Sequence, residues 1–313
     1  MKNNLFKKLF INSALSFTAL IIGSSVYAEV APDISWTKLF GGSSNDYGLG
    51  ITSDSSNNVY IFGAFSSDLS DHTMQGVFDN HFTKYSSSGV KQFSKYLATS
   101  EAEYLWDGTI IGSNFYGVGR AGADISGATN NGGIDILLTK YDLEGNLTWV
   151  KSIGTSESES GFAIDDDGEN IYISGYTYGD LDGEAKSDGS IDAFISKYNS
   201  AGEKQWTKLL GTSGWDRAYD IDTSTDDSVY ITGTTESDLD GQTNSGGVDT
   251  FLAKYSSDGT KIWTKLLGSS NDEISLAILA ASDGYIYISG STDGDLDGQT
   301  NSGGEDIFLA KYS

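Results

Sequence analysis

The sequence predicts an all-β fold, a five-bladed β-propeller of four-stranded antiparallel blades, its ring closed by the N-terminal strand joining the last blade. Three observations predict it. Trp36, Phe93, Trp149, Trp206 and Trp263 open five copies of one pattern, at spacings of 57, 56, 57 and 57 residues. Residues 29–313 number 285, or five periods of 57. The copies also start out of phase with the unit they build, as a circular fold requires.

The fourth copy shows the elements in order. Residues 218–223 alternate apolar and polar, and 224–227 make a polar turn. Residues 228–233, S-V-Y-I-T-G, are rich in β-branched and aromatic types and read as a second strand. After a long polar loop come a third strand at 249–255, a turn at 256–259 and a fourth strand at 261–266. We call these strands a, b, c and d. Two hairpins per copy make one blade. The last copy ends on its c strand at 307–312, while residues 34–40, I-S-W-T-K-L-F, repeat the d pattern at the other end. That segment is expected to supply the missing strand, hiding two sheet edges that would otherwise invite aggregation.

Residues 1–28 read as an export signal. Lys2, Lys7 and Lys8 precede a largely apolar run at 9–22, and Val26-Tyr27-Ala28 forms a small-residue cleavage site. Residues 29–313 are then a single domain, exported to the periplasm or beyond the cell and not inserted in a membrane after cleavage. The chain has no cysteine, which excludes disulfides and thiolate metal sites. Without the signal, 16 Lys plus Arg face 44 Asp plus Glu, a net charge of about −28. Such a field disfavours nucleic acid and makes a soluble monomer the expectation.

Residues 246–255, G-G-V-D-T-F-L-A-K-Y, with Gly259, Trp263, the L-L-G at 266–268 and the V-Y-I-T-G at 229–233, resemble the bacterial β-propeller repeat called SBBP. The resemblance is strong in copies three to five and weaker in one and two. It implies exported propeller proteins, most without an assigned activity. The family name refers to seven blades, whereas five copies are counted here.

Polar residues recur as well. Asp68, Asp124, Asp180, Asp238 and Asp295 begin the b–c loops; Asp79, Asp135, Asp192, Asp249 and Asp306 end them. Asp46, Glu103, Glu159, Asp216 and Glu273 occupy the d–a connections. In an up-and-down blade these two sets of connections share one face, so all fifteen acids are expected there. Lysines recur on strands c and d, where they either pair with the acids or lay their stems along the blade.

The Asp293-Gly294-Asp295-Leu296-Asp297-Gly298 run matches the opening of an EF-hand calcium loop. The closing Glu is absent, since Gly304 stands there, and no helices flank it. Calcium is still expected at Asp293, Asp295, Asp297 and Asp306, at Asp238, Asp240 and Asp249 and at Asp180, Asp182 and Asp192, while copies one and two, with Ser70 and Ser126 at the third position, are weaker. The alternative is a network of Asx turns capping backbone amides.

Catalytic signals are scarce. The two histidines, His72 and His81, lie in the first copy, and no G-x-S-x-G elbow exists. Gly117-Val118-Gly119-Arg120-Ala121-Gly122 satisfies G-x-G-x-x-G but follows a b strand with no helix after it. A glycoside hydrolase using two central carboxylates is the enzyme alternative, by analogy with other five-bladed propellers. The preferred reading is a binding or structural module for a glycan or a cell-surface protein. Its candidate contacts are Trp215 and Asp216 in one d–a connection and Tyr104 and Trp106 in another, since exposed aromatics beside polar groups stack on sugars.

Overall fold

The computed structural model describes residues 33–313. Residues 1–28, expected as an export signal, lie outside the described residues. The chain divides into two compact units, residues 1–38 and 39–313, and all nineteen strands belong to the second.

Those strands form five antiparallel sheets, each a simple meander in chain order. The first holds β1 (Asp46–Ser53), β2 (Val59–Phe65), β3 (Asp79–Tyr85) and β4 (Lys91–Leu97). The second holds β5 (Glu103–Ile111), β6 (Asn114–Ala121), β7 (Asp135–Asp142) and β8 (Leu147–Ile153). The third holds β9 (Glu159–Asp166), β10 (Asn170–Thr177), β11 (Asp192–Asn199) and β12 (Lys204–Leu210). The fourth holds β13 (Asp216–Thr223), β14 (Ser228–Thr235), β15 (Asp249–Ser256) and β16 (Lys261–Leu267). The fifth holds only β17 (Glu273–Ala280), β18 (Ile286–Thr292) and β19 (Asp306–Tyr312).

The fifth sheet therefore departs from expectation. Residues 33–40, expected as its fourth strand, carry no strand, and no closed sheet forms. Hairpin partners lie a few residues apart, but this pairing would join the two ends of the chain and carries the full entropy cost of a long loop. The outer edge of β19 stays open beside a groove of about 630 Å³ that includes Leu266, Leu296, Asp297, Ile307 and Leu309.

The core lies between consecutive sheets. Phe62 and Phe82 of the first pack with Leu105, Phe115 and Leu137 of the second. Val118, Ile136 and Leu138 meet Ile164, Ile173 and Phe194 at the next seam, and similar clusters follow at the third and fourth. Strand-c lysines cover the flanks: Lys84, Lys140, Lys197 and Lys254 sit 4.9–5.2 Å over the rings of Tyr60, Tyr116, Tyr172 and Tyr230. Each Lys and its Tyr are cross-strand partners on c and b, so the cation lies over the ring.

One irregularity repeats in every sheet. The innermost strand carries a β-bulge, and the residue left out of register is Leu49, Trp106, Phe162, Tyr219 or Leu276. The residue facing the bulge on strand b is always glycine. A Cβ on Gly63, Gly119, Gly175, Gly233 or Gly290 would lie 1.8–1.9 Å from the carbonyl oxygen of the second residue of strand a. The recurrent glycine read in the sequence is thus the price of the bulge.

Candidate functional site

The b–c loops and d–a connections share a face, as expected, because they are hydrogen-bonded across each seam. The amide of Glu103 donates to the Phe78 carbonyl at 2.8 Å, Glu159 to Ile134 at 2.6 Å, Asp216 to Ile191 at 3.0 Å and Glu273 to Val248 at 2.7 Å. The recurrent acids there accept backbone amides. Each d–a acid accepts the backbone amide four residues before it: Gly42 to Asp46, Thr99 to Glu103, Thr155 to Glu159, Thr212 to Asp216 and Ser269 to Glu273, at 2.6–2.8 Å. Asp216 is fully buried, so alternation turns it inward while Trp215, 42 % exposed, faces out.

The loop acids behave similarly. Asp68, Asp124, Asp180, Asp238 and Asp295 each accept the amide six residues on, at 2.8–2.9 Å. Asp79, Asp135, Asp249 and Asp306 accept the amide four residues back and Asp192 the amide five back, at 2.5–3.0 Å. Asp182 accepts the Thr207 hydroxyl at 2.6 Å and pairs with Lys204 at 2.9 Å. Asp240 accepts the Thr264 hydroxyl at 2.5 Å and pairs with Lys261. Asp297 has the same left-handed backbone, with φ of 46°, while Asp293 contributes backbone contacts, its carbonyl accepting from the Asn271 amide at 3.0 Å. Among the described residues no group of three acids or histidines comes together to hold a metal ion.

A second set of carboxylates lies on the innermost strands. Asp107 accepts the amide of Ile164 at 3.0 Å, Asp165 that of Thr223 at 2.7 Å, Asp220 that of Ile278 at 2.7 Å and Asp222 that of Ala280 at 2.6 Å. Strand a is the free edge of its sheet, and these side chains satisfy its amides from the sheet before. Burial is the main cause that raises Asp220 to about 7 and Asp107, Asp216 and Asp222 to about 6. Unfolded aspartates ionise near ~3.9. The folded chain therefore holds more protons than the unfolded chain between about pH 4 and 7, and the stability from these groups is lost as pH rises through 6 to 7. Asp54 and Asp142 act oppositely: burial works against them, but amide donors from Asn58 and Asn146 hold them low, so their contribution is lost in acid. Thermal melting should be highest near pH 4 and fall by several degrees toward pH 7. Asp220→Asn should flatten that fall; a melting temperature that climbs steadily to pH 8 would contradict the assignment.

The least repetitive part of the molecule is aromatic. Tyr104 and Trp106 stack at 4.9 Å with an interplanar angle of 4°. Trp106 meets Phe162 edge-on at 6.1 Å, and Phe162 stacks on Tyr219 at 5.4 Å and touches Tyr176 at 5.4 Å. Trp106, Phe162 and Tyr219 are the bulged residues of β5, β9 and β13. The bulge re-aims these side chains into one cluster across three sheets. Arg120 lies 4.7 Å over Tyr104 and 5.7 Å over Trp106; Arg217 lies 4.9 Å over Trp215 and 5.6 Å over Tyr176. Burial pushes the ionisation of Tyr104 and Tyr176 to higher pH, and Arg120 opposes it at both.

The expected ligand residues thus divide. Tyr104, Trp106 and Trp215 join this cluster, and Asp216 is a buried cap. Sequence reading missed Phe162, Tyr176, Tyr219, Arg120 and Arg217. One signal for the last two was present, since they are the only arginines in the chain. The histidines are elsewhere: His72 pairs with Asp79 at 2.7 Å, and His81 is buried, which lowers it to about 4.

A family profile described as SBBP, beta-propeller repeat, matches residues 35–63. Among curated proteins, the "Regulatory protein FlaEY" of Caulobacter vibrioides is 27% identical over 242 residues, 66% of this chain and 25% of that protein. An uncharacterized WD repeat-containing protein, L264, of Acanthamoeba polyphaga mimivirus is 23% identical over 274 residues, 77% of this chain and 17% of its own length. The chain therefore spans a quarter or less of the length of these relatives. A solved protein from Bacteroides fragilis is 12% identical with a TM-score of 0.34, covering 84% of this chain and 87% of that one, and is too distant to carry an argument. Repeats of this kind make a structural or binding module.

Proposed function

We propose that this protein is an exported binding module that takes a glycan on the aromatic cluster of its second to fourth sheets. One observation carries the reading. The Tyr104–Trp106 stack is built at the recurrent bulge, which turns Trp106 out of the strand register where the side chains differ from copy to copy, and Trp215 is exposed beside Arg217. Flat aromatic faces bind sugar rings by apolar contact while their edges and neighbours hydrogen-bond the hydroxyls. Glycan-array screening followed by calorimetric titration tests it: Trp106→Ala should weaken binding at least tenfold, and an array without a hit would reject the glycan. The hydrolase alternative would have to use the inner carboxylates, each of which already satisfies a neighbouring amide.

The architecture we propose for this module is a closed ring of five blades. In the fourth sheet Ala253 faces Thr264 and Lys254 faces Trp263. The same register would set Thr37 against Ala310 and Trp36 against Lys311 in the fifth. Asp297 would then find the Thr37 hydroxyl, as Asp182 and Asp240 find Thr207 and Thr264. The amide of Asp46 would donate to the carbonyl of Glu305, completing the seam series.

Calcium is a separate proposal for the loop of Asp293, Asp295, Asp297 and Asp306. Titration of chelator-treated protein tests it. Heat of binding together with a higher melting temperature supports the ion, and neither leaves these residues as turn caps.

A further inference from the structure

Arg120 and Arg217 are the only arginines in a chain with 44 Asp and Glu. Among the described residues, no carboxylate comes within 4.0 Å of either guanidinium. Nine other cationic side chains do find acids, including His72 and the surface lysines. Against a charge excess of this size, two guanidiniums left unpaired side by side on one cluster is an arrangement that needs a reason. Both Nε atoms are buried without an acceptor, and so is the indole Nε1 of Trp106. Each such donor costs on the order of 1–3 kcal/mol while it goes unmet. Arg120 also hydrogen-bonds the side chains of Tyr104 and Tyr176, and its Nε and that of Arg217 are left for an acceptor on the ligand.

We infer that the aromatic cluster selects an acidic sugar, a uronic-acid-type saccharide whose carboxylate is taken by Arg120 and Arg217 while its ring lies on the Tyr104–Trp106 face. This rests on the glycan reading and adds the charge of the ligand. The partner's size follows from electrostatics. The chain without its signal carries about −28, so a long polyanion would meet repulsion over the rest of the surface. One carboxylate against two guanidiniums is felt at contact distance, whereas the general field is screened beyond about 8 Å at physiological salt. A short acidic unit or a chain end is selected over an extended polyanion.

The test is calorimetric titration of the chain from residue 29 onward with digalacturonic acid, its methyl ester and a sulfated neutral disaccharide. The acid should bind at least tenfold more tightly than the ester, and 0.5 M NaCl should weaken the acid several-fold and leave the ester unchanged. Arg120→Gln and Arg217→Gln should each abolish the preference for the acid over the ester. Arg217→Lys, which keeps the charge and loses the fork, should retain only part of it. Equal affinity of acid and ester overturns the inference and leaves the glycan reading standing. Tighter binding of the sulfated sugar than of the uronate also overturns it. Failure of all three sugars, with no hit on the array, removes both. The comparison of acid with ester needs no variant, so a misfolded substitution does not rescue the proposal.

Discussion

Deleting residues 33–40 is expected to lower the melting temperature by about 10 °C. The fifth sheet is one strand short, and its edge strand β19 leaves Ile307 91 % and Leu309 72 % exposed. The repeat supplies one segment with the right sequence, in which Trp36, Thr37 and Lys38 stand where Trp263, Thr264 and Lys265 stand in β16. Pairing it would cover an apolar edge and give Asp297 its hydroxyl partner. It would also let Ile51 of β1 and Leu276 and Leu279 of β17, all more than half exposed, pack as other inner strands do. A loss of ~3–5 kcal/mol in a domain of this size moves melting by roughly 10 °C. A truncated chain that melts with the intact one would reject closure.

The second large effect is expected at the bulge. Gly233→Ala places a methyl 1.8 Å from the carbonyl oxygen of Arg217 and 2.8 Å from the carbon that bears it. Both atoms belong to backbone inside a sheet, so no side chain can swing aside. Either the bulge of β13 is lost or the β13–β14 pair separates. A cost of about 3 kcal/mol or more follows, at the upper end of single substitutions. The change should also disturb Tyr219, whose direction the bulge sets, and so alter ligand binding beyond the loss of stability. Gly168→Ala is the control: that turn glycine has open space around it and only its positive φ of 89° to defend, so its cost should be about 1 kcal/mol. Chemical denaturation of the two variants separates the cases; equal midpoints would show that the bulge is not the reason for the glycine.

The strands and their grouping were legible in the sequence because every element is local. Alternation, turn glycines and the recurring V-Y-I-x-G each report on hairpins a few residues long. Closure was also readable as a pattern, but the pattern names the partners without supplying the free energy that joins the chain ends. The site was legible only in part. Trp215 and Asp216 are neighbours, and alternation sends one outward and the other into the seam, where it caps a loop. Tyr104 and Trp106 stand together because a bulge shifts the register by one residue, and no local propensity marks it. Arg120 and Arg217 sit 97 residues apart on different sheets. Their convergence is a product of the fold, and composition alone pointed to it.

The most direct test of the central claim, a ring closed on five blades, is a cross-link at the proposed junction. The chain has no cysteine of its own. Thr37→Cys with Ala310→Cys places two thiols at paired positions of neighbouring strands, within the Cα separation of about 4.4–6.8 Å that a disulfide spans. The closed ring predicts an intramolecular disulfide that forms in the dilute monomer under mild oxidation, raises the melting temperature and is lost when Thr37→Cys is paired with a cysteine at Ser256. Free thiols after oxidation, or cross-links only between chains, would contradict it.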